Sequence, residues 1–448
     1  MASPSCDAAT AIDTAAWSAA RLSTAAESRT PLHFHGGARQ FRRRWPAFEA
    51  WSATTLVNPP YADVPVDVEL SELHAFTSYE PDADAARHLL RLDENRANAA
   101  SRRWTTTFGT FVRYTLGRSE RAPYAYLSVP LARILRDTPD RSHGKQFVND
   151  VMRVDDGGTA VIDDDTIQVD DELVVNGAAR AREAPMVSLW AGGANVTTQA
   201  HYDLHANLFV QVAGRKRVAL WPPEAAPSLY LYGALHPRFR KSRLPIADDL
   251  SELPNATLAA FPRAAGVMAK ARIVILEPHD VLFIPPLWLH HVTALDELTL
   301  SVNVFSHSDE QGVFDELFAL AVPFEASWME ADASGRRPLL LAATRAWLRR
   351  LAEAELDGGR AELRGALLDA GYQPPDGAPA PAPLDCGPPL PEGTADAFAA
   401  RAAEAAAVLA RLPGGAPARR LTLLRYADMA LGNFVGLDDA YAFARDCV

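Results

Sequence analysis

The stretch Thr197-Thr-Gln-Ala-His-Tyr-Asp203 sets a histidine and an aspartate two residues apart, and a histidine pair, His290-His291, follows Ile284-Pro-Pro-Leu-Trp-Leu289. On a β-strand, side chains two apart point to the same side. His201 and Asp203 are therefore expected to reach one ion from one strand, with a distant histidine closing the set from another. A helix would need i, i+3 or i, i+4 spacing for the same task. Two neutral imidazoles and one carboxylate are the ligand set of non-haem Fe(II) oxygenases, which leave one face of the metal open. A bare His-x-Asp is common by chance, so its surroundings decide how it is read.

Those surroundings are β. Asn207 to Ala213 alternates Leu208, Val210 and Val212 against Asn207, Phe209 and Gln211, the pattern of a strand with two different faces. Gly214-Arg-Lys216 makes a turn, and Arg217 to Trp221 returns as a second strand ended by Pro222-Pro223. Ile273–Leu276 turns at Glu277-Pro-His-Asp280 into Val281–Ile284, and Leu298–Phe305 follows the histidine pair. Short antiparallel strands with this punctuation suggest a sandwich or a barrel.

Several motifs then resemble, in order, the Jumonji-C, cupin-like family of Fe(II)- and 2-oxoglutarate-dependent oxygenases. The nearest pattern is the asparaginyl-hydroxylase branch that acts on hypoxia-inducible factor. Gly193-Ala-Asn-Val-Thr-Thr-Gln-Ala-His-Tyr-Asp203 looks like the first metal motif, and Asn207 to Arg217 like the hairpin after it. Leu229-Tyr-Leu-Tyr232, His236-Pro-Arg-Phe-Arg-Lys-Ser242 and Phe261-Pro262 resemble the segment between the metal motifs. Glu277-Pro-His-Asp-Val-Leu-Phe-Ile-Pro285 with Trp288-Leu-His290 looks like the second. The resemblance covers roughly residues 120–306.

The resemblance implies a mainly β core, a double-stranded β-helix of the jelly-roll, cupin-like kind, with N-terminal α/β padding and C-terminal helices. It implies His201, Asp203 and His290 as catalytic metal ligands. Lys216 is implied as the partner of the distal carboxylate of 2-oxoglutarate, with Thr198, Tyr126, Asn207 and Asn303 beside that co-substrate. The expected cofactors are Fe(II), 2-oxoglutarate and O2, and the expected chemistry is hydroxylation with release of succinate and CO2. N-demethylation by the same chemistry and a non-catalytic partner-binding module are the alternatives. On spacing alone, Lys216 reads as well as a hairpin lysine, Asn207 and Asn303 as satisfied interior amides, and Tyr126 as a core residue. His205, four after His201, reads as a pocket or core residue rather than a ligand, and His291 should face away from His290. His279 stands where the family's turn has glycine, and Leu289 and Phe305 where the hydroxylase branch has tryptophans, which leaves the pocket's shape and the substrate (protein, RNA or small molecule) open.

The remaining chain frames this core. The expected divisions are 1–110 as mixed α/β padding, with a helix over Ala85–Arg96 and an extended Val64–Leu70, and 111–310 as the catalytic domain, including an acidic insertion at 151–185. After these come 311–372 as a helical extension, 373–393 as a Pro/Gly linker forming neither helix nor core, and 394–448 as helices that would serve dimerisation by analogy. Net charge is −12, so no global attraction to nucleic acid or anionic membrane is expected. The runs Arg42–Arg44 and Arg238–Arg243 read as solvated faces, the second near the substrate entrance. Cys6, Cys386 and Cys447 are widely spaced, so neither a zinc site nor a disulfide is expected, and a cytoplasmic or nuclear location follows. No apolar run reaches the ~20 residues that span a bilayer.

Overall fold

The computed structural model describes residues 10–76, 102–156, 165–175, 184–320 (except 235, 237 and 248), 322, 323, 329, 332–370, 372, 381–390 and 393–448. The expected helix at Ala85–Arg96 and residues 157–164 and 176–183 of the acidic insertion lie outside them.

Eight strands form the core: β1 (Met186–Gly192), β2 (Thr197–His201), β3 (Ala206–Ala213), β4 (Lys216–Trp221), β5 (Arg272–Leu276), β6 (Val281–Ile284), β7 (Leu289–Ala294) and β8 (Thr299–Ser306). They divide into two four-stranded halves, ordered β6-β3-β8-β1 in one sheet and β5-β4-β7-β2 in the other. Every neighbouring pair among these eight is antiparallel. This is the expected double-stranded β-helix. Strands Tyr124–Pro130, Pro65–Ser71 and Arg102–Thr107 extend the first sheet beyond β1, and Leu32–Phe34 and Thr14–Ala15 extend it beyond β6.

The alternation read in β3 sorts its side chains. Leu208, Val210 and Val212 join a buried layer with Phe34, Trp45, Phe108 and Phe147 from the N-terminal region. Asn207 and Phe209 instead turn into the cavity between the sheets. In β8, Leu300, Val302 and Val304 pack in the same N-terminal layer, and Asn303 and Phe305 face the cavity. Both faces of this sheet are thus buried. The second sheet is covered by helices: Ala200, Ala219, Trp221 and Leu289 share one apolar cluster with Trp347, Leu351, Phe398 and Phe443. Those come from α2 (Ala333–Glu355), α4 (Thr394–Leu409) and α6 (Leu437–Asp446). The set also includes α1 (Asp309–Ala319), α3 (Gly359–Leu368) and α5 (Gly415–Phe434). Gly414, just before α5, and Gly415, its first residue, take positive φ of 85° and 69°.

Three expectations are corrected. Cys386 and Cys447 form a disulfide, their Cα atoms 5.4 Å apart; sequence spacing could not reveal that the chain's last residues pack beside the proline-rich strap. The argument from cysteine usage to a reducing compartment loses its basis. The strap itself is not excluded from the core, since Leu384, Cys386 and Leu390 pack against the helical cluster. Nor is the Arg238–Arg243 run a solvated face, since Arg238, Lys241 and Ser242 are buried. Among the described residues no helix is long and apolar enough to cross a membrane.

Candidate active site

A cavity of about 460 Å³ opens between the two sheets. Tyr126, Trp190, Asn207, Phe209, Asn303 and Phe305 line it from the first sheet, and Thr198, His201, Lys216, His290 and Val292 from the second. All eight sequence-selected residues, Asp203 included, line this one cavity.

The His201–Asp203–His290 group forms where β2 and β7 pair. His201 lies directly opposite His290 in the register, their ring centroids 4.2 Å apart. Asp203 is not on the strand, which ends at His201; it stands in the turn that follows. That turn is pinned by the Leu287 N–H donating to Asp203 O at 2.8 Å. Asp203 Oδ2 sits 4.0 Å from His201 Nε2 and 3.7 Å from His290 Nε2. Each imidazole is oriented by its other nitrogen: Nδ1 of His201 lies 2.8 Å from Gln199 O, and Nδ1 of His290 3.1 Å from Trp288 O. Carbonyls only accept, so Nδ1 carries the proton and Nε2 offers its lone pair. Two neutral Nε2 atoms and a carboxylate oxygen, all within 4.8 Å of one another, fit a divalent cation with backbone-oriented ligands. Burial depresses both histidines, keeping them neutral. Burial also works to raise the Asp203 carboxyl, but His201, Arg240 and His290 outweigh it and hold it at about 2.

Lys216 is buried, its Nζ donating to Ser301 Oγ at 2.7 Å and lying 3.4 Å from Trp190 O. Neither partner is a carboxylate, and burial pushes its pKa down to about 7. A buried ammonium without a counter-ion calls for one; an anion entering the cavity would supply it. Tyr126 Oη and Thr198 Oγ1 lie 2.9 Å apart and bridge the two sheets. Asn303 Nδ2 donates to Asn207 Oδ1 at 3.0 Å, while Asn303 Oδ1 is buried without a partner.

His205 lines the cavity but stands outside the three-residue cluster. His291 does not line it; it is buried in register with Ala219, on the alternate face of β7. Phe305 lines the cavity, whereas Leu289 packs in the helical cluster. Of the basic run, only Arg240 and Lys241 reach the cavity; Arg243 donates to Asp369 O at 2.8 Å. Sequence reasoning missed Ser301 and the contact of Arg240 Nη1 with Asp203 Oδ1, 3.2 Å. Ser301 was within reach, because it lies two before Asn303 on the same strand face. The Arg240 contact was not, since its backbone takes a left-handed turn, φ 65°, inside an irregular connection.

Comparison with known proteins agrees with this architecture. Over 134 residues the chain is 35% identical to Lysine-specific demethylase JMJ31 of Arabidopsis thaliana, covering 29% of this chain and 22% of that protein. It is 34% identical to HSPB1-associated protein 1 of Homo sapiens over 128 residues, 28% of this chain and 24% of the relative. It is 36% identical to human tRNA wybutosine-synthesizing protein 5 over 124 residues, 27% and 31% respectively. The chain thus spans less than a third of the length of each of these relatives. Residues 19–311 match the family described as Cupin-like domain, a span that includes all eight core strands and the His-Asp-His cluster. With that match, the β-helix and the cavity between its sheets, the chain belongs to the cupin-like, Jumonji-C-type family.

Proposed function

We propose that the chain is an Fe(II)- and 2-oxoglutarate-dependent oxygenase that hydroxylates its substrate with release of succinate and CO2. The observation that carries the reading is the placement of Lys216, a buried cation with no carboxylate partner among the described residues, in the same cavity as the His201–Asp203–His290 group. The three ligands would hold Fe(II), and Lys216 with Tyr126 and Thr198 would hold the distal carboxylate of 2-oxoglutarate by charge-assisted hydrogen bonds. Bound in this way, iron and 2-oxoglutarate supply the activation of O2. The chain's own residues then set ligand orientation, neutralise the co-substrate's charge and keep the cavity dry. Gln199 O and Trp288 O fix the imidazoles, while Arg240 holds the second oxygen of Asp203.

The test is Fe(II)-dependent release of succinate from 2-oxoglutarate by the purified chain, with and without candidate peptides, nucleic acids and small molecules. Stimulated succinate release together with a hydroxylated product supports the proposal. Formaldehyde release would redirect it to N-demethylation, the activity named for the Arabidopsis relative. No iron-dependent turnover with any of them, even uncoupled, would favour a binding module.

A further inference from the structure

A second cavity of about 350 Å³ lies beside the first, between the connection at 226–240 and helices α3 and α5. The two share Phe239, Arg240 and Arg425 as a common wall. Arg425 belongs to α5, beyond the segment that matches the family, so the C-terminal helices contribute directly to the wall of the candidate active site.

The charges of the first cavity do not balance. Four cations line it, Lys216, Arg240, Lys241 and Arg425, against one carboxylate, Asp203. Lys216 is reserved for the co-substrate under the oxygenase reading, and Arg240 bonds Asp203. Lys241 and Arg425 remain. Lys241 is buried and makes no ion pair within 4 Å among the described residues. Two carboxylates, Glu69 and Asp203, and the Arg240 guanidinium act on it electrostatically, and all three also act on other groups of the site. Arg425 Nη1 is buried without a hydrogen-bond partner, and its guanidinium lies 4.7 Å from the Phe314 ring centroid. Asp428 interacts with Arg425 electrostatically, but its hydrogen bonds go elsewhere, accepting from the Tyr372 hydroxyl at 2.7 Å and from the Ala234 N–H.

The second cavity differs in chemistry. Its other arginines are already paired, Arg263 with Asp369 at 2.7 Å and Arg420 with Glu362. Apart from the buried Asp428, what is left of its lining is mainly aromatic and aliphatic, with Tyr230, Tyr232, Phe239, Leu421 and Leu424. Buried cations require a counter-charge, and an apolar concavity next to convergent polar groups is the form of a small-ligand site.

We infer that the two cavities form one substrate site. Its occupant carries a carboxylate or phosphate held by Lys241 and Arg425, and an aromatic or apolar portion of the same molecule lies in the second cavity. The inference rests on the oxygenase reading for the assignment of Lys216 elsewhere.

The probes are benzoate and phenyl phosphate, with neutral benzyl alcohol and inorganic phosphate as controls. Each is titrated calorimetrically into the full chain without added metal, in the Lys216→Met background to remove the co-substrate's cation. Saturable one-to-one binding of one or both aromatic anions is expected, and the tighter of the two distinguishes carboxylate from phosphate. Lys241→Met and Arg425→Met should each weaken it by about tenfold or more, the scale of one charge-assisted hydrogen bond. Arg425→Lys should restore part of the loss, which a merely misfolded variant would not do. Leu424→Trp, filling the second cavity, should weaken phenyl phosphate and spare inorganic phosphate. Equal binding of benzyl alcohol, or anion affinities indifferent to Lys241→Met and Arg425→Met, would overturn the inference. Binding seen only when Lys216 is present would also overturn it while leaving the oxygenase reading intact. Loss of 2-oxoglutarate turnover with anion binding preserved would do the reverse.

Discussion

At the His201–Asp203–His290 end of the cavity, Asp203 divides its oxygens: Oδ2 faces the two histidines and Oδ1 accepts from Arg240. Removing that carboxylate leaves two neutral imidazoles, a poor site for a hard divalent ion. Asp203→Ala is expected to abolish stoichiometric Fe(II) binding and succinate release while the circular dichroism spectrum stays native. Full turnover in that variant would remove Asp203 from the ligand set. His290→Ala should lose the metal as completely, whereas His291→Ala, on the other face of β7, should retain it; metal titration separates the two. Under the proposed function, Lys216 sets the co-substrate side. Loss of a charge-assisted bond to a buried anion costs roughly 2–5 kcal/mol, so Lys216→Ala should raise the 2-oxoglutarate requirement by about one and a half to nearly four decades while Fe(II) still binds. The pH dependence has a definite sign. With the cavity empty, burial lowers the Lys216 pKa to about 7, so the ammonium is present below that value and is lost above it. A bound carboxylate raises the pKa, so binding takes up a proton at pH 8. Affinity for 2-oxoglutarate should therefore fall by up to about tenfold per unit above pH 7, and the fall should be absent in Lys216→Ala.

The β3–β4 hairpin is the element that aims Lys216, and Gly214 is its hinge. Its φ is +62°, and an added Cβ would lie 2.3 Å from Leu298 O. Gly214→Ala should destabilise the chain by on the order of 1–3 kcal/mol, read as a lower urea midpoint with an unchanged slope. An unaltered midpoint would mean that the turn relaxes at no cost. β3 was legible because Leu208, Val210 and Val212 alternate with Asn207 and Gln211, and β4 because a turn at Gly214 precedes it and Pro222-Pro223 ends it. β1 was not, because Val187, Leu189 and Ala191 join the N-terminal layer while Trp190 faces the cavity, so both faces are buried and periodicity is weak. The i, i+2 spacing picked two residues that the fold does bring together, but by an incomplete route, since Asp203 stands in the turn and not on the strand. The charge run at Arg238–Arg243 misled for a different reason: Arg238 and Lys241 are buried by an irregular connection that local sequence does not encode. His279 keeps the turn that glycine usually serves by adopting φ 79°, its ring stacked 4.1 Å from Phe48.

Across the whole molecule, the outer face of the second sheet and the C-terminal helices form one continuous core. Truncation after residue 320 would uncover Ala200, Ala219, Trp221 and Leu289 together, and the shortened chain is expected to aggregate rather than fold as an independent barrel. A soluble truncated chain with a cooperative melt would show that the helices are dispensable. The disulfide closes a loop of 61 residues within this unit, so Cys386→Ser should lower stability by roughly 2–4 kcal/mol, measured by denaturation under non-reducing conditions. The claim on which the rest depends is that one cavity holds both a metal and 2-oxoglutarate. Equilibrium dialysis of 2-oxoglutarate under nitrogen, with and without Fe(II), tests it without any knowledge of the substrate. One 2-oxoglutarate should bind per chain, tightly only with Fe(II) present, and the gain should vanish in Asp203→Ala and in Lys216→Ala. Binding that is indifferent to iron and to both substitutions would contradict the account.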